Sequence, residues 1–136
     1  MTAWFADTSF FIALLSPGDH AHESASRRAR ELTKHPLVTS AWILVELANA
    51  CSPPRRRGGF RTMLQFLRDH PAATIIGPQE SDYESGFRLY LDRMDKGWSL
   101  TDCISFVIMS ERGISEALTT DRHFEQAGFS ALLMVK

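Results

Sequence analysis

The 136-residue sequence is short of several things, and each shortage narrows its class. It has two cysteines, Cys51 and Cys103, both inside apolar helical patterns. They read as reduced core thiols, and a disulfide framework is not expected. No stretch approaches the roughly 20 apolar residues of a membrane span. No basic segment leads into an apolar core and a cleavage site at the N-terminus. The expectation is a soluble cytoplasmic protein without a membrane partner. Net charge is -1, so no overall positive field announces a nucleic-acid or lipid surface. Also missing are a G-x-S-x-G elbow, a glycine-rich phosphate loop, a cysteine beside a histidine, and a His or Cys pair at zinc spacing. His20 and His22 fall on a polar helix start and read as solvated.

The length suits one domain over 1–136, and the 44% of hydrophobic residues suffices for one core. Trp4-Phe5-Ala6 is a short apolar run reaching Asp7, and a second run, Phe10 to Leu15, follows at once. This predicts a buried strand leading directly into a helix. A turn at 16–19 precedes a helix over 20–33, with Ala21, Ala25, Ala29 and Leu32 at helical spacing. Leu37 to Thr39 reads as a strand, and Ser40 caps a helix over 41–51. Gly58-Gly59 interrupts an arginine-rich stretch before a helix with Phe60, Met63, Leu64 and Leu67 on one stripe. Thr74 to Ile76 is a third strand. A helix over 79–94 puts Tyr83, Phe87, Tyr90, Leu91 and Met94 on one face. Ser99 starts another helix that ends at Gly113. Ala117 to Thr119 is a fourth strand, a short helix runs to Gly128, and 131–135 is a fifth strand. Strands and helices alternate, which predicts an α/β fold of three layers: a mostly parallel five-stranded sheet flanked by helices.

Four carboxylates occupy informative positions in that pattern. Asp7 and Asp121 each follow a strand and precede a helix, at the same end of a parallel sheet, where α/β folds bind ligands. Either is also a good helix N-cap. Asp102 stands three residues after Ser99, as in a capping box. Glu46 has no such role, since it lies mid-helix in Trp42-Ile43-Leu44-Val45-Glu46-Leu47. An ionised Glu in such a setting is either on a wet edge or paired. Four converging carboxylates repel, and without a metal at least one of them should hold a raised pKa. A hard divalent cation, Mg²⁺ or Mn²⁺, would reconcile them. Thr8, Ser9, Thr119 and Thr120 are placed to orient carboxylates or waters. Such a site suits phosphodiester hydrolysis.

The ordered set Asp7-Thr8-Ser9, Thr39-Ser40 with Glu46, Ser99-Leu100-Thr101-Asp102, and Leu118-Thr119-Thr120-Asp121 resembles that of PIN-domain ribonucleases. Within that superfamily the chain is similar to the VapC-type toxins of toxin–antitoxin systems. The resemblance covers nearly the whole chain. It implies a PIN-like fold and a Mg²⁺- or Mn²⁺-dependent endoribonuclease that cuts single-stranded RNA. It also implies catalytic and metal-binding roles for Asp7, Glu46, Asp102 and Asp121, a small antitoxin partner, and a homodimer. Arg55, Arg56, Arg57 and Arg61 either contact RNA phosphates or form a solvated face. Two other readings remain open. One is a receiver-like phosphoacceptor domain, against which stand the single Asp7 and the lack of a late Lys before Lys136. The other is a catalytically silent PIN-like module that binds RNA or protein.

Overall fold

The computed structural model describes residues 2–134. Its centre is β1 (Trp4–Ala6), three residues with no exposed face. Strand β2 (Leu37–Ser40) pairs with β1 on one side and β3 (Ala73–Ile76) continues beyond it. Strand β4 (Glu116–Leu118) pairs with β1 on the other side and β5 (Ser130–Ala131) forms that edge. All pairings are parallel and the order is β3-β2-β1-β4-β5. Trp4, Phe5, Leu37, Ala117 and Leu118 are buried because a sheet covered on both faces has no wet side. Receiver domains share the doubly wound order 2-1-3-4-5. The order here differs, so the phosphoacceptor reading does not fit the fold.

Among the described residues, seven α-helices flank the sheet: α1 (Thr8–Leu15), α2 (His22–Arg30), α3 (Ala41–Ala50), α4 (Arg57–Asp69), α5 (Glu80–Asp92), α6 (Leu100–Arg112) and α7 (Arg122–Gln126). Their ends follow the expected chemistry. The Ser40 hydroxyl accepts from the Ile43 N–H at 3.3 Å, and Gly113 closes α6 in the left-handed region at φ 66°. Both cysteines are free and buried.

Four elements differ most from expectation. Helix α2 is confined to 22–30, because residues 31–34 close as turns, with the Lys34 N–H bonding the Glu31 carbonyl. Helix α4 starts at Arg57 and runs straight through Gly58-Gly59, rather than after them. A Cβ at Gly59 would come within 3.3 Å of the Leu15 side chain, so that glycine lets α4 lie close to α1. Helix α5 stops at Asp92, short of 94, where Arg93 turns to pair with Asp95 at 3.0 Å. Strand β5 spans only 130–131, because the chain curls there and the Met134 N–H bonds back to the Ala131 carbonyl. Residue 135 of the expected strand lies outside the described residues.

The aromatic stripe of α5 is real, but it faces outward. Leu91 is 61% and Met94 83% exposed, and Tyr83 and Tyr90 are also exposed. The face turned to α6 instead carries Asp82 and Gly86. A Cβ at Gly86 would stand 2.4 Å from Ile104 Cγ1 and 3.2 Å from its Cα. Elsewhere in a helix, Gly→Ala gains up to about 1 kcal/mol of propensity. Here α5 and α6 would have to separate. Gly86→Ala is therefore expected to lose about 1–3 kcal/mol, as overpacked cores do. Urea unfolding of both proteins measures this, and a variant as stable as wild type would contradict the close approach.

Candidate functional site

β1 and β4 are neighbours, while the chain leaves β1 toward β2 and returns to β4 on the other flank. That reversal is where an α/β sheet opens a crevice beyond its strand ends. A cleft of about 530 Å³ lies there, lined by Asp7, Thr8, Ser9, Ile12, Glu46, Gly97, Ser99, Asp102, Thr120, Asp121 and His123. All four sequence-predicted carboxylates are present. No Lys or Arg is among the lining residues.

Asp7 occupies the N-cap position of α1, yet its side chain makes no capping bond. Its carboxylate turns into the cleft floor and is only 7% exposed. The Thr119 hydroxyl donates to Asp7 Oδ2 at 2.7 Å and the Ser9 hydroxyl donates to the same oxygen at 3.1 Å. Behind them, the Asp121 N–H donates to Thr119 Oγ1 at 3.0 Å and the Thr120 N–H to Ser9 Oγ at 3.1 Å. Two backbone amides at the exit of β4 thus feed, through two hydroxyls, into one carboxylate oxygen. Burial pushes the Asp7 pKa up from 3.8 to about 6, the hydroxyl bonds pull it back in part, and the Asp102 charge adds to the rise. The raised carboxyl anticipated from mutual repulsion is therefore present, but desolvation is its first cause.

Glu46 is half-buried on α3 and accepts from the Thr8 hydroxyl at 2.5 Å. That bond draws the Glu toward the end of β1 and explains an acidic residue in an otherwise apolar helix. Asp102 and Asp121 do act as caps. Asp102 and Ser99 form a reciprocal box, with the Ser99 N–H donating to Asp102 Oδ2 at 3.1 Å. Asp121 Oδ1 accepts from the His123 N–H at 2.9 Å. Capping fixes both carboxylates on helix starts without removing them from the cleft. Of the smaller residues, Thr8, Ser9 and Thr120 line the cleft, while Thr119 lies buried beneath it.

The arginines divide. Arg55 and Arg56 line an adjoining groove of about 460 Å³ with Leu15, Cys51 and Gly59, and Ile12 is shared between that groove and the acidic cleft. Arg57 turns away and donates from Nε to the Ser52 carbonyl at 2.7 Å. Arg61 is exposed one turn further along α4.

Histidines depart from expectation. His22 is half-buried, with Nδ1 2.7 Å from the Ala13 carbonyl oxygen, so only His20 of that pair is solvated. His123 is an unexpected member of the cleft. Its Nδ1 lies 3.1 Å from Asp102 Oδ2 and 3.4 Å from Asp121 Oδ1. Asp102, Asp121 and His123 offer ligand atoms within 4.8 Å of one another, the arrangement that a metal ion needs. The available signal was the Asp-x-His spacing at 121–123, where a strand ends and a helix begins.

The PIN domain family model matches residues 4–130, almost the whole described chain. The chain belongs to the PIN domain family. This PIN domain is 32% identical over 128 residues to the 23S rRNA-specific endonuclease VapC20 of Mycobacterium tuberculosis, covering 92% of this chain and 94% of that one. The crystal structure of M. tuberculosis VapC20, described as a sarcin-ricin loop cleaving toxin, superposes with a TM-score of 0.83 at 25% identity, covering 93% of this chain and 96% of that one. FitAcB from Neisseria gonorrhoeae matches with a TM-score of 0.64 at 17% identity over 93% of this chain and 94% of that one, a likeness of fold alone. The PIN domain contains no helix among its described residues that is long and apolar enough to cross a membrane.

Proposed function

We propose that this PIN domain is a divalent-metal-dependent endoribonuclease and the toxin of a toxin–antitoxin pair. The observation that carries the reading is the convergence of Asp7, Glu46, Asp102 and Asp121 on one cleft with no Lys or Arg among its lining residues. Oxygen-rich, acidic and partly wet, the cleft fits Mg²⁺ or Mn²⁺. Such an ion supplies charge neutralisation at the scissile phosphate and a more acidic attacking water. The chain's part is to hold it and to aim the RNA. Thr119 and Ser9 fix Asp7 through its Oδ2, Thr8 fixes Glu46, and two helix starts fix Asp102 and Asp121. Arg55 and Arg56 stand where a phosphate backbone leaving the cleft past Ile12 would run, and each contact of this kind releases counterions.

The names of the relatives extend the reading to ribosomal RNA, and a cytoplasmic site of action follows from such a substrate. Base edges are free in loops rather than in paired stems, so a single-stranded loop is the expected target. The antitoxin would place a basic side chain among the carboxylates, since Arg pairs bidentately with them. A homodimer would cover the exposed α5 face of Tyr83, Tyr90, Leu91 and Met94. Sequencing RNA 5′ ends after brief induction tests the function. One dominant new end within an rRNA loop is expected with wild type and absent with Asp102→Asn. Ends that are scattered, or unchanged in the variant, would contradict it.

A further inference from the structure

Among the residues that line the cleft, His123 alone offers a side-chain nitrogen, and the other polar side chains there offer oxygen. Its position is more specific than a neighbouring surface histidine requires. A single Nδ1 stands 3.1 Å from Asp102 Oδ2 and 3.4 Å from Asp121 Oδ1. In the free protein that nitrogen is also a hydrogen-bond partner of Asp102 Oδ2, an oxygen that accepts the Ser99 N–H at 3.1 Å as well. Ligands on adjacent corners of an octahedron with bonds of about 2.1–2.2 Å are separated by roughly 3.0 Å. The two separations lie near that edge length, and all three ligand atoms fall within 4.8 Å of each other. Helix α7 sets this up locally. Asp121 caps it by accepting the His123 N–H at 2.9 Å, which turns the imidazole back over the carboxylates.

We propose that His123 Nδ1 is a direct ligand of the divalent cation, and that the resulting mixed nitrogen–oxygen set favours Mn²⁺ over Mg²⁺. The proposal rests on the metal-site reading above and deepens it. Mg²⁺ is a hard ion that holds oxygen ligands and water, whereas first-row transition ions accept imidazole. Coordination uses the tautomer with Nδ1 bare and the proton on Nε2. Where Nδ1 carries a proton in the free protein, that proton passes to water when the ion binds.

The test is pulsed electron paramagnetic resonance of Mn²⁺ bound to metal-stripped protein, with calorimetric affinities for Mn²⁺ and Mg²⁺ in wild type and His123→Gln. Wild type should show modulation from a directly bound ¹⁴N, and the variant should bind Mn²⁺ without it. Mn²⁺ affinity should fall by at least about 10-fold in the variant, since even outer-shell changes do that much, and Mg²⁺ affinity should fall less. Bound Mn²⁺ without ¹⁴N modulation in wild type overturns the proposal and leaves the metal site standing. Modulation that persists in His123→Gln overturns it as well, because another nitrogen is then the ligand. No bound Mn²⁺ at all overturns both this proposal and the metal reading beneath it.

Discussion

Asp7→Asn is expected to slow RNA cleavage by at least about 100-fold without unfolding the protein. Changes to residues that merely orient a metal ligand cost 10–100-fold in affinity or activity, so loss of a ligand charge should cost no less. Asp7 is also where the supporting bonds converge: Thr119 and Ser9 both donate to its Oδ2, backed by the amides of Asp121 and Thr120. Asn keeps the shape and an acceptor for those hydroxyls, so the network survives while the charge disappears. Single-turnover cleavage of a labelled RNA by the two proteins, each checked by circular dichroism, measures the effect. A variant within a few-fold of wild type would remove Asp7 from the site.

The same substitution should raise stability when metal is absent. Burial holds the Asp7 pKa near 6 in the folded chain, against 3.8 for an ordinary aspartate. Between those values the folded protein keeps a proton that the unfolded chain has released. The stability of the stripped protein should therefore be greatest, as far as this group decides it, at or below about pH 4. It should fall as pH rises from about 4 to about 6 and stay level above that. The loss is on the order of 3 kcal/mol, at 1.36 kcal/mol per pKa unit. At pH 7.5 in EDTA, Asp7→Asn is free of that penalty and should melt several degrees above wild type. Adding Mn²⁺ should close most of the gap. A ligand at 100 times its dissociation constant stabilises wild type by about 2.7 kcal/mol, and the variant should gain much less. Thermal melts of both proteins at pH 4.5 and 7.5, with EDTA and with Mn²⁺, check the pattern. An Asn variant that melts below wild type in EDTA at pH 7.5 would show that the charge of Asp7 is structural.

Much of this architecture is legible in the chain because local and global preferences agree. The apolar run 4–6 has no polar alternation, so it had to be a strand covered on both faces, and it is the central one. Asp7, Asp102 and Asp121 could be placed on one rim because each sits where an element begins or ends. Glu46 stood out because an acidic residue inside an apolar helix needs a partner, and Thr8 provides one. Other features depend on contacts between segments remote in sequence. The stripe of α5 has the spacing of a core face, but Gly86 against Ile104 decides which side of the helix meets α6. Periodicity reports a face and not its direction. The role of His123 is hard to read from the sequence for a related reason. Its ring meets Asp102, 21 residues away, only once α6 and α7 are packed. The pKa of Asp7 likewise follows from burial under α1 and β4, which no local pattern expresses.

The most direct measurement is the rate at which metal-stripped protein cleaves a single-stranded rRNA loop as Mn²⁺ is added back. The carboxylate cleft predicts no cleavage in EDTA and a rate that rises with Mn²⁺ to saturation, along the same curve as Mn²⁺ binding. Cleavage at full rate in EDTA, or Mn²⁺ binding that saturates with no cleavage of any RNA, would contradict it.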